Sequence, residues 1–177
     1  MSETGIQTRR ATLADAALIA SHRRAMFEAM GSAVPGVLDE MTRNFEPWLL
    51  PRLADGRYTG WITTHEDRPI ASAGLLILDW PPHPRDPAGT ERAYILNVYA
   101  DPDYRRRGLA RTLVGLCLAE ASRRNIRITS LHASDEGRPL YEKQGFTASN
   151  EMLFVAPPTQ SFTPSPVQAC TVSAPEP

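Results

Sequence analysis

Between Val98 and Ala110 the chain reads V-Y-A-D-P-D-Y-R-R-R-G-L-A: the end of an apolar strand, a polar turn and the opening of a helix. A helix N-terminus presents backbone N–H groups with no intrahelical partner and about half a positive charge, so it favours a phosphate placed there. Gly108 lacks the Cβ that would hold a ligand off the backbone, and Ala110 adds only a methyl group. Arg105, Arg106, Arg107 and Arg111 put four cations within seven residues, and Arg123, Arg124 and Arg127 follow. The single acid between 105 and 127 is Glu120. These residue types in this order predict a site for a small ligand carrying a pyrophosphate. A basic strand-loop-helix is otherwise an ordinary solvated turn, so the rest of the chain has to decide.

The elements that would position this segment are legible. The spacing of Leu18, Ala25, Met26, Ala29 and Met30 predicts a helix, started by Thr12 with Asp15 in the manner of a capping box and stopped at Gly31. A short strand over 6–10 precedes it, and a second helix is expected over 37–50, interrupted near Pro47. Residues 57–65 and 69–80 are β-rich runs separated by Glu66-Asp67-Arg68, the spacing of an antiparallel hairpin. The proline-rich stretch 81–87 lacks the N–H groups of a strand ladder and is expected to be a loop. Residues 93–100 are nearly unbroken apolar, as in a central strand covered on both faces. A helix over 108–124 follows, its apolar stripe made by Leu109, Leu113, Leu116, Cys117 and Ala121, with Arg111, Glu120 and Arg123 largely away from it. A strand over 126–132, a short helix over 136–144 and a final strand over 152–155 complete the order. The pattern predicts a mixed α/β domain with one sheet and helices on both faces.

Composition narrows the function. The length of 177 residues suits one domain. Ten of the 16 prolines fall in 81–87 and 157–177, so 1–156 reads as the folded domain and 157–177 as a Pro/Ser/Thr-rich disordered tail. A net charge of −1 offers no general attraction to nucleic acid. No apolar run spans a membrane and the N-terminus lacks signal-peptide features, so a cytoplasmic protein is expected. Cys117 and Cys170 make neither a metal set nor a plausible disulfide, and no metal is expected.

Two motifs carry a resemblance. Arg105-Arg106-Arg107-Gly108-Leu109-Ala110 is similar to the Q/R-x-x-G-x-G/A fingerprint of the GNAT superfamily of acyl-CoA N-acyltransferases, and Leu140-Tyr141-Glu142-Lys143-Gln144-Gly145-Phe146 resembles its L-Y-E-x-x-G-F helix. They stand in the family's order and at its usual separation, and the likeness extends over about 5–155. The resemblance implies a single-domain GNAT fold, with a mixed, mostly antiparallel sheet splayed at the cofactor strand. It also implies that backbone groups of Val98 and Ala100 pair with the pantetheine arm of acetyl-CoA as an added strand. Amides from Arg106 to Ala110, Leu109 included, would hold the pyrophosphate, with arginine side chains such as Arg105 near the ribose 3′-phosphate. Tyr141 would protonate the departing CoA thiolate as general acid. Ser134 stands where many relatives carry an asparagine that bonds the pantetheine. Asn97, polar midway along an apolar strand, needs hydrogen-bond partners and is expected to line the acceptor or cofactor cleft.

The general base is open. Some relatives carry a glutamate where this chain has Tyr94 or Thr129, and the candidates left are Glu91, Glu28, His22 and His132. Acceptor selection is expected around Met26, Phe27, Met30, the 31–36 turn and the 81–89 loop. The function implied is transfer of an acetyl group from acetyl-CoA to a primary amine of a small molecule or amino-acid-like acceptor, by direct attack in a ternary complex. The alternatives are a non-catalytic CoA-binding module, or acetylation of a protein N-terminus or of aminoacyl-tRNA. A monomer or homodimer without membrane or nucleic-acid partners is expected.

Overall fold

Four strands form an antiparallel meander in chain order: β1 (Ile6–Arg10), β2 (Tyr58–His65), β3 (Arg68–Asp79) and β4 (Glu91–Ala100). A fifth, β5 (Thr129–Leu131), lies parallel to β4. Helices α1 (Ala16–Ala29) and α2 (Pro35–Ala54) cover one face, α3 (Leu109–Arg123) covers the other, and α4 (Arg138–Glu142) follows β5. These elements belong to the first of two units, Met1–Thr147, in a computed structural model that describes residues 5–31 and 34–155. The mixed α/β architecture with one open sheet is the one expected.

Local chemistry explains where elements begin. The Thr12 amide donates to Asp15 Oδ2 at 2.7 Å, and Arg9 grips the same carboxylate at 2.8 and 2.7 Å, so α1 starts from a turn tied back to β1. Glu66 and Asp67, at φ 49° and 64°, make the two-residue turn between β2 and β3, the backbone that matches strand twist.

Several elements depart from the sequence reading. α2 runs unbroken for 20 residues with Pro47 and Pro51 inside it. Each proline forfeits only its own bond to the preceding turn, and burial of Phe45 and Leu49 against the sheet offsets that loss. β5 is three residues, shorter than 126–132, because Ile126 still bonds back to the Ala121 carbonyl and packs beneath α3. α4 is shorter than 136–144, since tight turns at Ser134 and at Gln144–Phe146 take up its ends. In the second unit, Ala148–Pro177, no strand forms over 152–155: a strand exists only as part of a ladder, and these residues make none. The expected tail, 157–177, and Cys170 lie outside the described residues, as do 32 and 33 of the 31–36 turn.

The core has two layers. Leu75, Ala93 and Ile95 face Leu113, Val114 and Cys117 of α3, while Tyr58 and Leu76 face Ile19 and Leu49 on the other side. β4 is covered on both faces, as its composition predicts, but the middle strand of the sheet is β3.

Candidate functional site

β4 divides the site in two because it parts from β5. Only Ala93, Tyr94 and Ile95 pair with β5, so the edge beyond Ile95 is open on that side. The Asp101 amide donates to the Ile70 carbonyl of β3 at 2.8 Å. By the alternation of an antiparallel ladder, Val98 and Ala100 then turn their backbone groups to the open edge. The Ala100 carbonyl there accepts a 3.4 Å bond from Arg105 Nε. Opposite β3, Asn97 and Val98 together face Ala73, a bulge in which Asn97 adopts φ 56°.

At the end of this edge α3 begins. Gly108 is its N-cap at φ 81°, and Arg106 is left-handed at φ 62°. A Cβ on Gly108 would meet nothing within 4 Å, so within the protein the glycine serves backbone conformation, and the space above it is open to a ligand. Among the described residues nothing accepts the amides of Arg106, Arg107 or Gly108. Arg107 is drawn to the preceding turn through the Asp103 carbonyl and the Tyr104 ring, while Arg106 and Arg111 are exposed. Leu109 and Ala110 are half-buried in the first turn.

Tyr141 reaches the same side of the sheet from α4. Its ring is buried in one cluster with Cys117, against which Val98, Ala100 and Leu109 pack. Burial pushes its pKa up, which keeps the hydroxyl protonated near neutrality, and that hydroxyl has no hydrogen-bond partner among the described residues. The Ser134 hydroxyl accepts the Gly137 amide at 3.1 Å and so closes the turn into α4. Burial raises the Cys117 thiol to about 12, which leaves it an inert core group.

The opposite face of the fork holds a polar network. Asn97, 2% exposed, donates to the Tyr58 hydroxyl at 3.0 Å and accepts from Arg23 Nη1 at 2.7 Å. The Tyr94 hydroxyl bonds His132 Nδ1 across the point where β4 and β5 separate. His22 is buried, bonded to the Ser72 hydroxyl at 2.9 Å and tilted against Tyr99, and burial lowers its pKa to about 4. Glu28 is exposed and paired with Arg24. Glu91 lines a separate cleft of about 290 Å³ with Trp48, Arg52 and Arg57, about 20 Å along β4 from Asn97. Arg23 and Tyr58 escaped the sequence reading. The signal for Arg23 was its place on the stripe of Ile19 and Phe27, with no acid three or four residues away.

The seven arginines do not act as one patch. Arg123 and Arg124, with Arg10 of β1, hold Glu120 at 2.7 to 2.9 Å. Glu120 is therefore buried, at 6% exposure, and not away from the packed face as its helical position suggested. Arg127 lies 3.9 Å from Asp86. Only Arg105, Arg106, Arg107 and Arg111 stand at the start of α3.

The chain that carries this open strand edge and helix start is similar to known proteins. A family profile described as the acetyltransferase (GNAT) family matches residues 20–146. The chain belongs to the GNAT acetyltransferase family. A GCN5-related N-acetyltransferase from Ralstonia eutropha JMP134 is 40% identical with a TM-score of 0.82, over 86% of this chain and 99% of that one. A predicted acetyltransferase of Clostridium acetobutylicum, solved with acetyl-CoA, is 30% identical with a TM-score of 0.76, over 85% and 96%. An aminoglycoside acetyltransferase from an uncultured soil metagenomic sample shares the fold at 13% identity and a TM-score of 0.62, over 89% and 99%. No curated protein matches the chain. In this acetyltransferase no group of metal-binding side chains occurs among the described residues, and no described helix is long and apolar enough to cross a membrane.

Proposed function

We propose that this acetyltransferase moves an acetyl group from acetyl-CoA to the primary amine of a small molecule, by direct attack in a ternary complex. The observation that carries the reading is the open β4 edge running into the unpaired amides at Arg106, Arg107 and Gly108. Acetyl-CoA supplies an activated acyl group as a thioester. Val98 and Ala100 bind the pantetheine arm as an added strand, and the amides from Arg106 to Ala110 take the pyrophosphate, with Arg105 and Arg111 at its flank. Ser134 lies beside the arm, and Asn97 shapes the fork through its side-chain bonds.

On transfer, the amine nitrogen forms the new bond to the acetyl carbon and the carbon–sulfur bond breaks. Tyr141 donates its hydroxyl proton to the departing sulfur; its raised pKa keeps that proton in place until then. The amine must lose a proton, and His132, joined to Tyr94 at the fork, is the best placed acceptor. The other candidates are remote, paired at the surface or enclosed.

The test is release of free thiol from acetyl-CoA across a panel of amines, an N-terminal peptide and aminoacyl-tRNA. Tyr141→Phe is expected to lower kcat by about a hundredfold or more with acetyl-CoA affinity by calorimetry kept. Affinity for acetyl-CoA with no thiol release from any acceptor would instead favour a non-catalytic CoA-binding module.

A further inference from the structure

Arg23 differs from the arginines of this protein that form close ion pairs. Arg9, Arg10, Arg24, Arg57, Arg68, Arg123 and Arg124 each meet a carboxylate within 2.8 Å. Arg23 meets none among the described residues; burial lowers its pKa, and the ionisable groups that act on its charge are the Tyr58 and Tyr94 hydroxyls. Its one hydrogen bond goes to the neutral Asn97 amide oxygen, and its Nε is buried without a partner. Its guanidinium lies 4.9 Å from the Phe27 ring and 4.8 Å from the Phe45 ring. Arg23 is half-buried, and a cation partly withdrawn from water without a counter-charge is costly, with ring faces repaying only part of it. The missing interaction is an anion's.

The location says which anion. Through Asn97 the guanidinium is tied to the bulge of β4, on the face where Tyr94 and His132 meet and opposite the Tyr141 cluster. An amine approaching the fork from this face would carry its other substituents past Arg23. Two aromatic rings beside a planar fork suit a planar anion, and a single positive charge matches one negative charge. We propose that Arg23 anchors the carboxylate of the acceptor, so that the amine acetylated here belongs to an amino acid or another amine bearing a carboxylate. This inference rests on the acetyl-transfer reading above and names its substrate class.

The experiment uses the full chain with acetyl-CoA and pairs of acceptors differing only in the carboxylate: amino acids, their amides and their decarboxylated amines, with phosphoethanolamine as a phosphate-bearing control. Wild type is expected to favour each amino acid over its decarboxylated partner by about a hundredfold in kcat/KM, as for loss of a charged hydrogen-bonded pair. In Arg23→Gln that ratio should collapse toward one, mostly through KM, and Arg23→Lys should restore part of it. Equal turnover of both members of each pair by wild type, or preference for phosphoethanolamine, would overturn the assignment while leaving acetyl transfer intact. So would an unchanged ratio in Arg23→Gln. If no amine is turned over, calorimetry decides separately: carboxylate binding that Arg23→Gln removes keeps the anchor and sinks the transfer reading, and its absence sinks both.

Discussion

Glu120 shows how a buried, paired carboxylate ties stability to acid pH. Its three arginines hold its pKa at about 2, well below the ordinary carboxylate. A group whose folded pKa is depressed contributes stability that is complete above its unfolded value and is lost as pH falls toward the folded one. Glu120 therefore acts between about 4.5 and about 2. Arg10 and Arg123 are more than half exposed, which discounts the gain to about 2 kcal/mol. His22 works in a higher window. Burial holds it near 4 against an ordinary 6.5, so the unfolded chain takes up a proton first and stability falls as pH drops from 6.5 toward 4. Urea midpoints measured from pH 3 to pH 8 should show Glu120→Gln less stable at pH 7 by that amount and flatter below pH 4.5. His22→Asn should flatten the 4 to 6.5 range instead. Curves parallel to wild type in either variant would refute the assignment for that residue.

At the scale of elements, the site depends on a misfit between two strands. The bulge at Asn97 turns a side chain that strict alternation would send toward α3 to the α1 face, where Tyr58 and Arg23 receive it. Tyr58 can stand there because it lies over Gly74 of β3; a Cβ at Gly74 would overlap the tyrosine hydroxyl. Gly74→Ala should cost about 2 kcal/mol by overpacking, lower Tm by about 4–8 °C and weaken turnover by detaching Tyr58 from Asn97. A thermal melt within a degree of wild type would show that Tyr58 has room to move. What was legible in the sequence follows the same division. The Thr12–Asp15 cap, the Glu66–Asp67 turn and the α3 start are set by residues adjacent in the chain, and local propensity reveals them. Asn97 announced itself as a polar residue in an apolar run, but the bulge depends on register with β3, and the burial of Glu120 depends on Arg10 of a distant strand. Such pairings leave no periodic trace. The continuity of α2 through Pro47 and Pro51 likewise comes from burial against the sheet, which overrides local propensity.

Across the whole molecule the net charge is −1, so an anion as highly charged as CoA must be drawn by a local field. α3 has 15 residues, and at about 1.5 Å each its two ends lie about 22 Å apart. At physiological salt the screening length is about 8 Å, so charges at the far end contribute little to a ligand at the near one. The arginines at the two ends of α3 therefore have separate duties. Arg123 and Arg124 neutralise Glu120, and Arg127, 68% exposed, is free of the site. Arg111 stands in the first turn of the helix with an exposed side chain. Reversing its charge replaces an attraction by a repulsion of about 0.5–1 kcal/mol each at close range in water. Arg111→Glu should therefore weaken acetyl-CoA binding by about tenfold at physiological salt, with the loss shrinking as salt is raised. Arg127→Glu, an equal change in net charge, should shift the affinity by less than about twofold. Calorimetric titrations of both variants at low, physiological and high salt separate the two accounts. Equal losses at physiological salt would mean that the protein attracts its cofactor through total charge, and that the amides and arginines at the start of α3 have no special part in it.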